Sequence, residues 1–209
     1  KFGLIINQTE TKQNTALKDV EYKISIKDEL ENELVDQTKT YKTGEDGNLL
    51  EDIVGIIITD AEKTYTITIT EQNVPEGYKT NGTITFEVQS KLCSDEVTFE
   101  LVSGEKTVEN AKAVQITSNM IAIDIENTLK NDLSYTIHYK DKDTGNNIHE
   151  DRVVPNKTYG EVFEENALDI RGYEKESPTV LNVEVKEGTN EYTFYYTKKT
   201  HYDYIIHYR

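Results

Sequence analysis

Residues 64–71 read TYTITITE, with threonine alternating with a larger side chain at every step. Successive side chains of a β-strand point to opposite faces, so this alternation predicts a strand with Tyr65, Ile67, Ile69 and Glu71 on one face. β-Branched and aromatic residues also favour strands. We therefore expect the carboxyl group of Glu71 to end a row of apolar side chains that faces the core.

The same alternation recurs on both sides of this stretch, in residues 2–6, 20–26, 84–88, 97–101 and 121–125. Clusters of turn-forming residues separate these segments, at 43–48, 74–77 and 103–105. About seven short strands with turns between them predict a β-sandwich over residues 1–128. Residues 53–58 are apolar without alternation, and we expect there a strand that is buried on both faces.

The charge of the chain excludes several classes of partner. The 209 residues carry a net charge of −16, and residues 1–129 account for most of it with 12 basic and 24 acidic side chains. The negative electrostatic field of such a chain repels nucleic acid and anionic membrane surfaces, and the sequence contains no stripe of basic residues that would offset it. The single cysteine excludes a disulfide within the chain. No segment is apolar and long enough to span a bilayer, so we expect no membrane insertion.

A short repeat marks the second half of the chain. Residues 135–140 read YTIHYK and residues 204–209 read YIIHYR, with four of the six positions identical. A module that repeats head to tail belongs to an array, and arrays serve display or multivalent contact more often than catalysis. We expect a linker at 129–132, a small domain at 133–198, and at 199–209 a second linker with the first strand of a next repeat. The chain is then an internal segment of a longer protein.

The pattern of the small domain predicts an α+β unit. Alternating or aromatic segments at 135–139, 148–154, 180–185 and 192–196 indicate strands. Between them, Val162, Phe163, Asn166 and Leu168 are spaced for one or two helical turns within residues 160–170. We therefore expect two strands, a short helix and two more strands.

Residues 70–78 read TEQNVPEGY and contain the pattern E-x-x-x-P-x-G-Y. This pattern resembles the signature of the Cna B-type (SpaA-like) domains in surface proteins and pili of Gram-positive bacteria. Residues 17–22, 43–49 and 123–128 resemble the family's step into its second strand, its T-D-x-x-G turn and its closing strand ending in N-T. The resemblance covers residues 1–128 and implies an Ig-like β-sandwich.

The resemblance also implies covalent chemistry. Many domains of this family form an isopeptide bond between a lysine of the first strand and an asparagine of the last strand, assisted by a central carboxylic acid. The lysine must be neutral to attack and the acid must stay protonated, so both groups must be buried. The matching positions for the acid and the asparagine in this chain are Glu71 and Asn127.

Side-chain parity decides which group takes the lysine position. Asn127 ends the inward row of the last strand, and the inward row of the first strand contains Phe2, Leu4, Ile6 and Gln8. A glutamine side chain is not a nucleophilic amine, so we predict that the bond is absent. Gln8, Glu71 and Asn127 should instead form a buried hydrogen-bonded cluster. Lys1 and Lys12 remain as alternative amines, although Lys1 has the wrong parity and Lys12 lies in a turn.

The second half resembles a mucin-binding-protein (MucBP) repeat. The resemblance rests on residues 135–139 with Asp141 and Gly145, then Gly172 and Tyr173, and then the closing aromatic segment 192–196. It covers residues 133 to 198 and implies a β-grasp fold similar to that of ubiquitin. It also implies display on a bacterial surface and, in some members, contact with mucin glycans or host proteins. The matching positions are core and turn residues, so the ligand-binding residues stay unknown.

The other motifs in the sequence do not indicate a metal site or a catalytic site. Residues 141–147 are acidic, but Gly145 and Arg152 do not fit the positions that an EF-hand loop requires, so a hairpin turn is expected. His138 and His207 occupy the same position of successive repeats without metal-ligand spacing. Catalytic signatures such as G-x-S-x-G, the P-loop and H-E-x-x-H do not occur. We expect no metal, no cofactor and no enzymatic activity.

These observations predict a non-catalytic stalk and display segment of an extracellular, cell-wall-anchored Gram-positive adhesin. The alternative is that the MucBP-like module binds mucin glycans or a host glycoprotein directly. The expected partners are adjacent repeats of the same chain and mucin or another host glycan, with no nucleic acid. We expect the chain to be a monomer.

Overall fold

The computed structural model describes residues 3–49, 62–93, 96–102, 108–117, 120–201 and 207. The chain divides into two compact units, Lys1–Leu129 and Lys130–Arg209. The described residues form strands, turns and bridges and contain no helix, which confirms the mostly β fold. Within them, accordingly, no helix has the length and apolarity needed to cross a membrane.

The first unit is a β-sandwich of two sheets, as predicted. One sheet has the strand order β4-β1-β9-β8 and the other has the order β3-β2-β5-β6-β7. The strands are β1 (Gly3–Glu10), β2 (Glu21–Lys27), β3 (Tyr41–Lys42), β4 (Asn48–Leu49), β5 (Thr64–Asn73), β6 (Thr83–Cys93), β7 (Glu96–Leu101), β8 (Ala113–Thr117) and β9 (Met120–Asn127).

The core of this unit lies between the two sheets and follows the predicted parity. Along β5 buried and half-buried residues alternate, because Tyr65, Ile67 and Ile69 face inward and the threonines face outward. Strands β1, β2 and β9 show the same alternation. Each sheet therefore contributes one apolar face, as expected of a sandwich whose other faces meet solvent.

The first and last strands of the unit are neighbours. β1 pairs with β9 in parallel over eight residues, from Gly3 opposite Met120 to Glu10 opposite Asn127. The two ends of the unit's chain are thus joined along the full length of both strands. This pairing places Gln8 of β1 beside Ile125 of β9 and brings the carboxyl ends of both strands to the same edge.

The second unit has a four-stranded sheet in the order β11-β10-β15-β13 and a two-stranded sheet of β12 and β14. Here too the first strand pairs in parallel with the last described strand, with Thr136 opposite Glu191 and Asp141 opposite Tyr196. The strands are β10 (Leu133–Asp141), β11 (Arg152–Lys157), β12 (Val162–Asn166), β13 (Tyr173–Lys175), β14 (Val180–Glu184) and β15 (Glu191–Lys198).

Aromatic side chains fill the core of the second unit. Tyr139 of β10 lies opposite Phe194 of β15, and their ring centroids are 6.3 Å apart in a stacked arrangement. The ring of Tyr196 lies 6.4 Å from that of Tyr139, and all three side chains are buried. Valines of β14 and the loop beyond it close the core from the other side, at Val183 and Val185.

The predicted short helix in this unit is wrong. Residues 162–166 form β12, which pairs antiparallel with β14 from Val162 opposite Glu184 to Asn166 opposite Val180. The spacing of Val162, Phe163 and Leu168 fits a helix only roughly. In the strand, Phe163 faces the core while Val162 is 61% exposed. The α+β β-grasp expectation is therefore corrected to an all-β unit among the described residues.

Some other expectations differ in detail or lie outside the described residues. The strand expected at 148–154 begins later, at Arg152, because residues 148–151 form a bend and a loop after the bridge of Asn147 to Lys140. Several expectations concern residues that the structure does not describe: the strand at 53–58, Lys1 and Phe2, and most of the second repeat copy at 204–209.

Candidate functional site

Four strands bring their polar residues together at one end of the sandwich core. Gln8 follows Leu4 and Ile6 in the inward row of β1, and Asn127 ends the inward row of β9. Across the core, Tyr22 of β2 lies directly opposite Glu71 of β5 in the antiparallel register. All four side chains are buried, with exposed fractions of 7% for Glu71 and 1% or less for the others. We call these four residues the amide–carboxylate cluster.

A continuous chain of hydrogen bonds connects the cluster. The Tyr22 hydroxyl donates to Oε1 of Gln8, and Nε2 of Gln8 donates to Oδ1 of Asn127. Nδ2 of Asn127 then donates to both carboxylate oxygens of Glu71, at 3.1 and 3.0 Å, and to the carbonyl oxygen of Lys79 at 2.8 Å. Gln8 and Asn127 thus connect the first and last strands side chain to side chain.

The Glu71 carboxylate is held by several hydrogen-bond donors. The backbone N–H of Asn81 donates to Oε2 at 2.6 Å, and the Tyr22 hydroxyl lies 3.4 Å from Oε1. Burial raises the pKa of Glu71, while the hydrogen bonds from Asn81, Asn127 and Tyr22 oppose that rise. Burial, reinforced by the charge of Glu71, also raises the pKa of the Tyr22 hydroxyl.

The backbone of Gln8 is fixed independently of its side chain. Its N–H donates to the carbonyl of Gly47 at 2.9 Å, and its carbonyl accepts from the N–H of Leu17 at 3.0 Å. Gly47 has a φ of +74°, and a Cβ atom on it would lie 2.4 Å from the Gln8 carbonyl oxygen. Only glycine fits there, because the turn needs both the left-handed conformation and the close approach.

The cluster places Gln8, Glu71 and Asn127 together, and it does so without an amine. The nitrogen lone pair of a carboxamide is delocalised, so Gln8 can donate a hydrogen bond to Asn127 but cannot attack it. Lys12 is exposed in the turn that follows β1, where its backbone N–H donates to Glu10 at 2.8 Å. The absence of an isopeptide bond stays a prediction, which an intact mass of the protein would test.

Two members of the network were not identified from the sequence. Tyr22 lies in the inward row Tyr22, Ile24 and Ile26 of β2, and it is the only side chain of that row that ends in a hydroxyl. That signal would have been usable only with the register that sets Tyr22 opposite Glu71. Asn81 gives no signal, because its contribution is a backbone N–H in the loop between β5 and β6.

In the acidic turn at 141–147, the carboxylate of Asp141 accepts hydrogen bonds from residues of the same turn. Oδ1 of Asp141 accepts from the backbone N–H groups of Asp143 and Thr144, at 3.0 and 2.9 Å, and from the Thr144 hydroxyl. These bonds, with that of the Thr144 N–H as the largest contribution, lower the pKa of Asp141. The residue therefore stabilises a hairpin turn. A search of the described residues finds no group of His, Cys, Asp or Glu side chains that could hold a metal ion.

His138 of the repeat motif lies on β10 with a carboxylate beside it. Its Nδ1 is 3.0 Å from Oδ2 of Asp151, and 16% of its side chain is exposed. This is the environment of a strand residue that forms an ion pair when protonated. The equivalent His207 is exposed, and its neighbours in the sequence lie outside the described residues.

An open cleft lies in the second unit beside β13. It has a volume of about 720 Å³ and is lined by residues 169–175 and Lys199. Its floor is held by backbone hydrogen bonds, from Tyr173 to Ile170 at 3.1 Å and from Lys199 to Gly172 at 2.9 Å. Drug-sized ligands occupy clefts of about 300–1,000 Å³, so this cleft has the size of a small-molecule site.

Comparison of the sequence with models of known protein families finds no match. Comparison with curated proteins also finds no match. The two family resemblances therefore rest on the motifs described above.

Comparison with solved structures finds similar chains, which include a pilus adhesin and a pilin. A C-terminal fragment of the pilus adhesin SpaC from Lactobacillus rhamnosus GG aligns with a TM-score of 0.44 and 11% identity, over 98% of this chain and 100% of that one. The Bacillus anthracis TIE protein aligns with a TM-score of 0.45 and 12% identity, over 93% of this chain and 34% of that one. The major pilin T-13 of Streptococcus pyogenes aligns with a TM-score of 0.36 and 11% identity, over 95% of this chain and 97% of that one. Values this low do not assign a function.

Proposed function

We propose that this chain is a non-catalytic, load-bearing stalk and display segment of an extracellular bacterial adhesin. In this proposal residues 1–128 are a Cna B-type-like sandwich without its covalent bond. Residues 129–132 are a linker, residues 133–198 are a MucBP-like module, and residues 199–209 lead into a next repeat. The protein is anchored to the cell wall through regions outside this segment.

One observation carries the proposal: in both units the first strand pairs in parallel with the last described strand. When tension is applied through the two ends of such a unit, the paired strands are pulled in opposite directions along their own axes. All hydrogen bonds between them are then loaded together. An antiparallel hairpin that is pulled at its open end breaks its bonds one after another. The parallel arrangement suits a segment that must transmit force.

Single-molecule force spectroscopy tests this proposal. The chain pulled from its N-terminus to its C-terminus should unfold at a clearly higher force than the same chain pulled through cysteines introduced by Thr64→Cys and Gln89→Cys, with Cys93→Ser in both. Residues 64 and 89 are partners at one end of the β5–β6 pair, so this second geometry peels the two strands apart. Equal unfolding forces for the first unit in both geometries would contradict the load-bearing role.

A second candidate function is that the MucBP-like module binds mucin glycans or a host glycoprotein. The cleft of about 720 Å³ in the second unit favours it, since saccharide sites need a concave surface with polar groups. Retention of the chain on immobilised mucin, compared with a chain carrying several copies of the module, tests this candidate. The multi-copy control is needed because single modules in an array bind weakly.

A further inference from the structure

We propose that the cleft beside β13 binds a saccharide that carries a carboxylate. This inference deepens the second candidate function and rests on it. The cleft is lined by Arg171, Lys175 and Lys199 together with Asp169 and Glu174, and by the ring of Tyr173. Each of these groups matches one part of an acidic sugar.

The first argument is electrostatic. The whole chain has a net charge of −16, yet cations outnumber acids among the residues that line this cleft. Lys175 is paired with Asp169 at 2.9 Å, and the Asp169 side chain is 99% exposed at the rim. Among the described residues, neither the Arg171 guanidinium nor the Lys199 ammonium has an ion-pair partner. Two cations are therefore available to an anion that enters the cleft.

The cationic side chains suit an oxyanion such as a carboxylate. A guanidinium presents a planar fork of N–H donors that matches a carboxylate with two parallel hydrogen bonds. The Lys199 ammonium adds a second charge at the same cleft. Beyond about 8 Å, physiological salt screens the negative field of the rest of the chain, so the local cations determine which ligand is attracted.

The remaining lining residues suit a sugar ring more than a simple carboxylic acid. Tyr173 lines the cleft and packs against the core of the second unit, which holds it in place, and a tyrosine ring can offer an apolar surface to the face of a pyranose. The carboxylates of Asp169 and Glu174 can accept hydrogen bonds from sugar hydroxyls. The backbone of Tyr173 is held by its pairing with Lys198 in the sheet.

The test uses the whole chain, labelled with ¹⁵N, and two matched probes. Methyl β-D-glucuronide carries the carboxylate, and methyl β-D-glucoside has the same ring without it. The glucuronide should cause saturable shifts of the backbone amide signals of Gly172, Tyr173 and Lys199, whereas the glucoside should bind at least roughly fivefold more weakly, since it lacks the charge-assisted contact. Equal binding of both probes, or shifts centred elsewhere, would overturn the proposal.

A pair of variants separates the site from a general charge effect. Arg171→Gln should weaken glucuronide binding at least roughly fivefold, through loss of the same charge-assisted contact. Lys186→Gln makes the same charge change in the same unit, but Lys186 is an exposed partner of Glu184 outside the cleft lining. It should leave the affinity unchanged. Equal losses in both variants would show a non-specific charge effect and refute the site.

A further measurement distinguishes the failure of this inference from the failure of the second candidate function. It compares the retention of the parent chain and of Arg171→Gln on immobilised mucin. If glucuronide does not bind while both chains are retained equally, the cleft inference is wrong and glycoprotein binding stands. If neither probe nor mucin binds, both are wrong. Glucuronide binding together with reduced mucin retention by Arg171→Gln supports both.

Discussion

The two units join their terminal strands in the same way and then stabilise that pair by different means. In the first unit the parallel pair β1–β9 is bridged by the carboxamides of Gln8 and Asn127, next to a buried carboxylate. In the second unit the parallel pair β10–β15 is bridged by the stacked rings of Tyr139 and Phe194. A polar bridge depends on every donor and acceptor being paired, whereas an aromatic bridge depends on packing.

The difference has a physical consequence. Removing one member of the polar bridge takes hydrogen-bond partners away from buried groups, and one of these groups is a carboxylate. Removing a ring leaves a cavity but no unpaired charge. The first unit should therefore be sensitive to pH and to the identity of single polar residues, and the second unit should be sensitive to side-chain volume. Four predictions test this contrast, in order of decreasing effect.

The largest expected effect is the conversion of the polar bridge into a covalent one. Gln8→Lys places an amine beside Asn127 with Glu71 on the far side of the amide, which is the arrangement that the resemblance to Cna B-type domains implies for isopeptide formation. A crosslink between residues 8 and 127 closes a loop of more than a hundred residues and should stabilise the first unit by about 4–5 kcal/mol. Intact mass should fall by one ammonia, and calorimetry should show the higher melting temperature.

The control for this variant keeps the lysine and removes the acid. Gln8→Lys combined with Glu71→Gln should retain the full mass, because a neutral amide cannot deliver a proton to the Asn127 leaving group. A folded Gln8→Lys protein that keeps its full mass would show that the cluster does not hold the amine in a reactive position.

The second prediction concerns the aromatic bridge. Phe194→Ala removes a buried ring from between β10 and β15 and should destabilise the second unit by roughly 3–5 kcal/mol. The unfolding transition of the first unit should not move, because the substitution lies in the other compact unit. Differential scanning calorimetry can follow both transitions. Tyr195→Ala is the matched control, since Tyr195 is 48% exposed on the same strand. Equal losses in the two variants would contradict the packing argument.

The third prediction concerns the polar bridge. Asn127→Ala removes the hydrogen-bond partner of Gln8, of Glu71 and of the Lys79 carbonyl, all at a buried position. Since each buried group left without a partner costs about 1–3 kcal/mol, the first unit should lose roughly 3 kcal/mol. Urea unfolding followed by tyrosine fluorescence measures the change. Asn73→Ala, at an exposed end of β5, should cost little. A loss below about 1 kcal/mol for Asn127→Ala would mean that water replaces the missing partner.

The smallest effect is a dependence on pH. Burial raises the pKa of Glu71 in the folded unit above the ordinary value of 4.5 for a glutamate. The folded state therefore binds a proton more tightly than the unfolded state, and Glu71 makes the free energy of unfolding fall as the pH rises from 4.5 through the folded pKa. The slope from this one group is at most about 1.4 kcal/mol per pH unit.

Glu71→Gln should remove this part of the pH dependence of the first unit. Glu10, whose pKa is lowered by the backbone N–H groups of Lys12 and Gln13, acts in the opposite sense and is present in both proteins. The difference between the two pH profiles therefore isolates Glu71. Identical profiles between about pH 5 and 7 would show that Glu71 has the same pKa folded and unfolded.

Side-chain alternation predicted the faces of the strands but not their partners. The inward rows of β1, β5 and β9 follow directly from the alternation of residues such as Ile6, Ile67 and Ile123, because parity depends on the strand alone. The parallel pairing of first and last strands depends on contacts far apart in the sequence, and periodicity carries no signal for it. The helix expected around Phe163 failed for a related reason: a short apolar spacing fits a helix and a strand equally well until its partner is known.

The cluster was predictable to the same extent. Gln8 lies in the inward row of β1, and Glu71 and Asn127 end the inward rows of β5 and β9, so parity together with the family resemblance placed all three in the core. Tyr22 joins them only because the β2–β5 register sets it opposite Glu71. Asn81 contributes a backbone N–H from a loop, and backbone groups have no signature in a sequence.

The turn at Gly47 has a consequence for mutation of the codon for residue 8. The turn holds the backbone of residue 8 from both sides, so its place in the strand does not depend on which side chain it carries. The codons for glutamine and lysine differ only in their first base. If Gln8→Lys forms the predicted crosslink, a single C-to-A change in the gene exchanges a reversible closure of this unit for a permanent one.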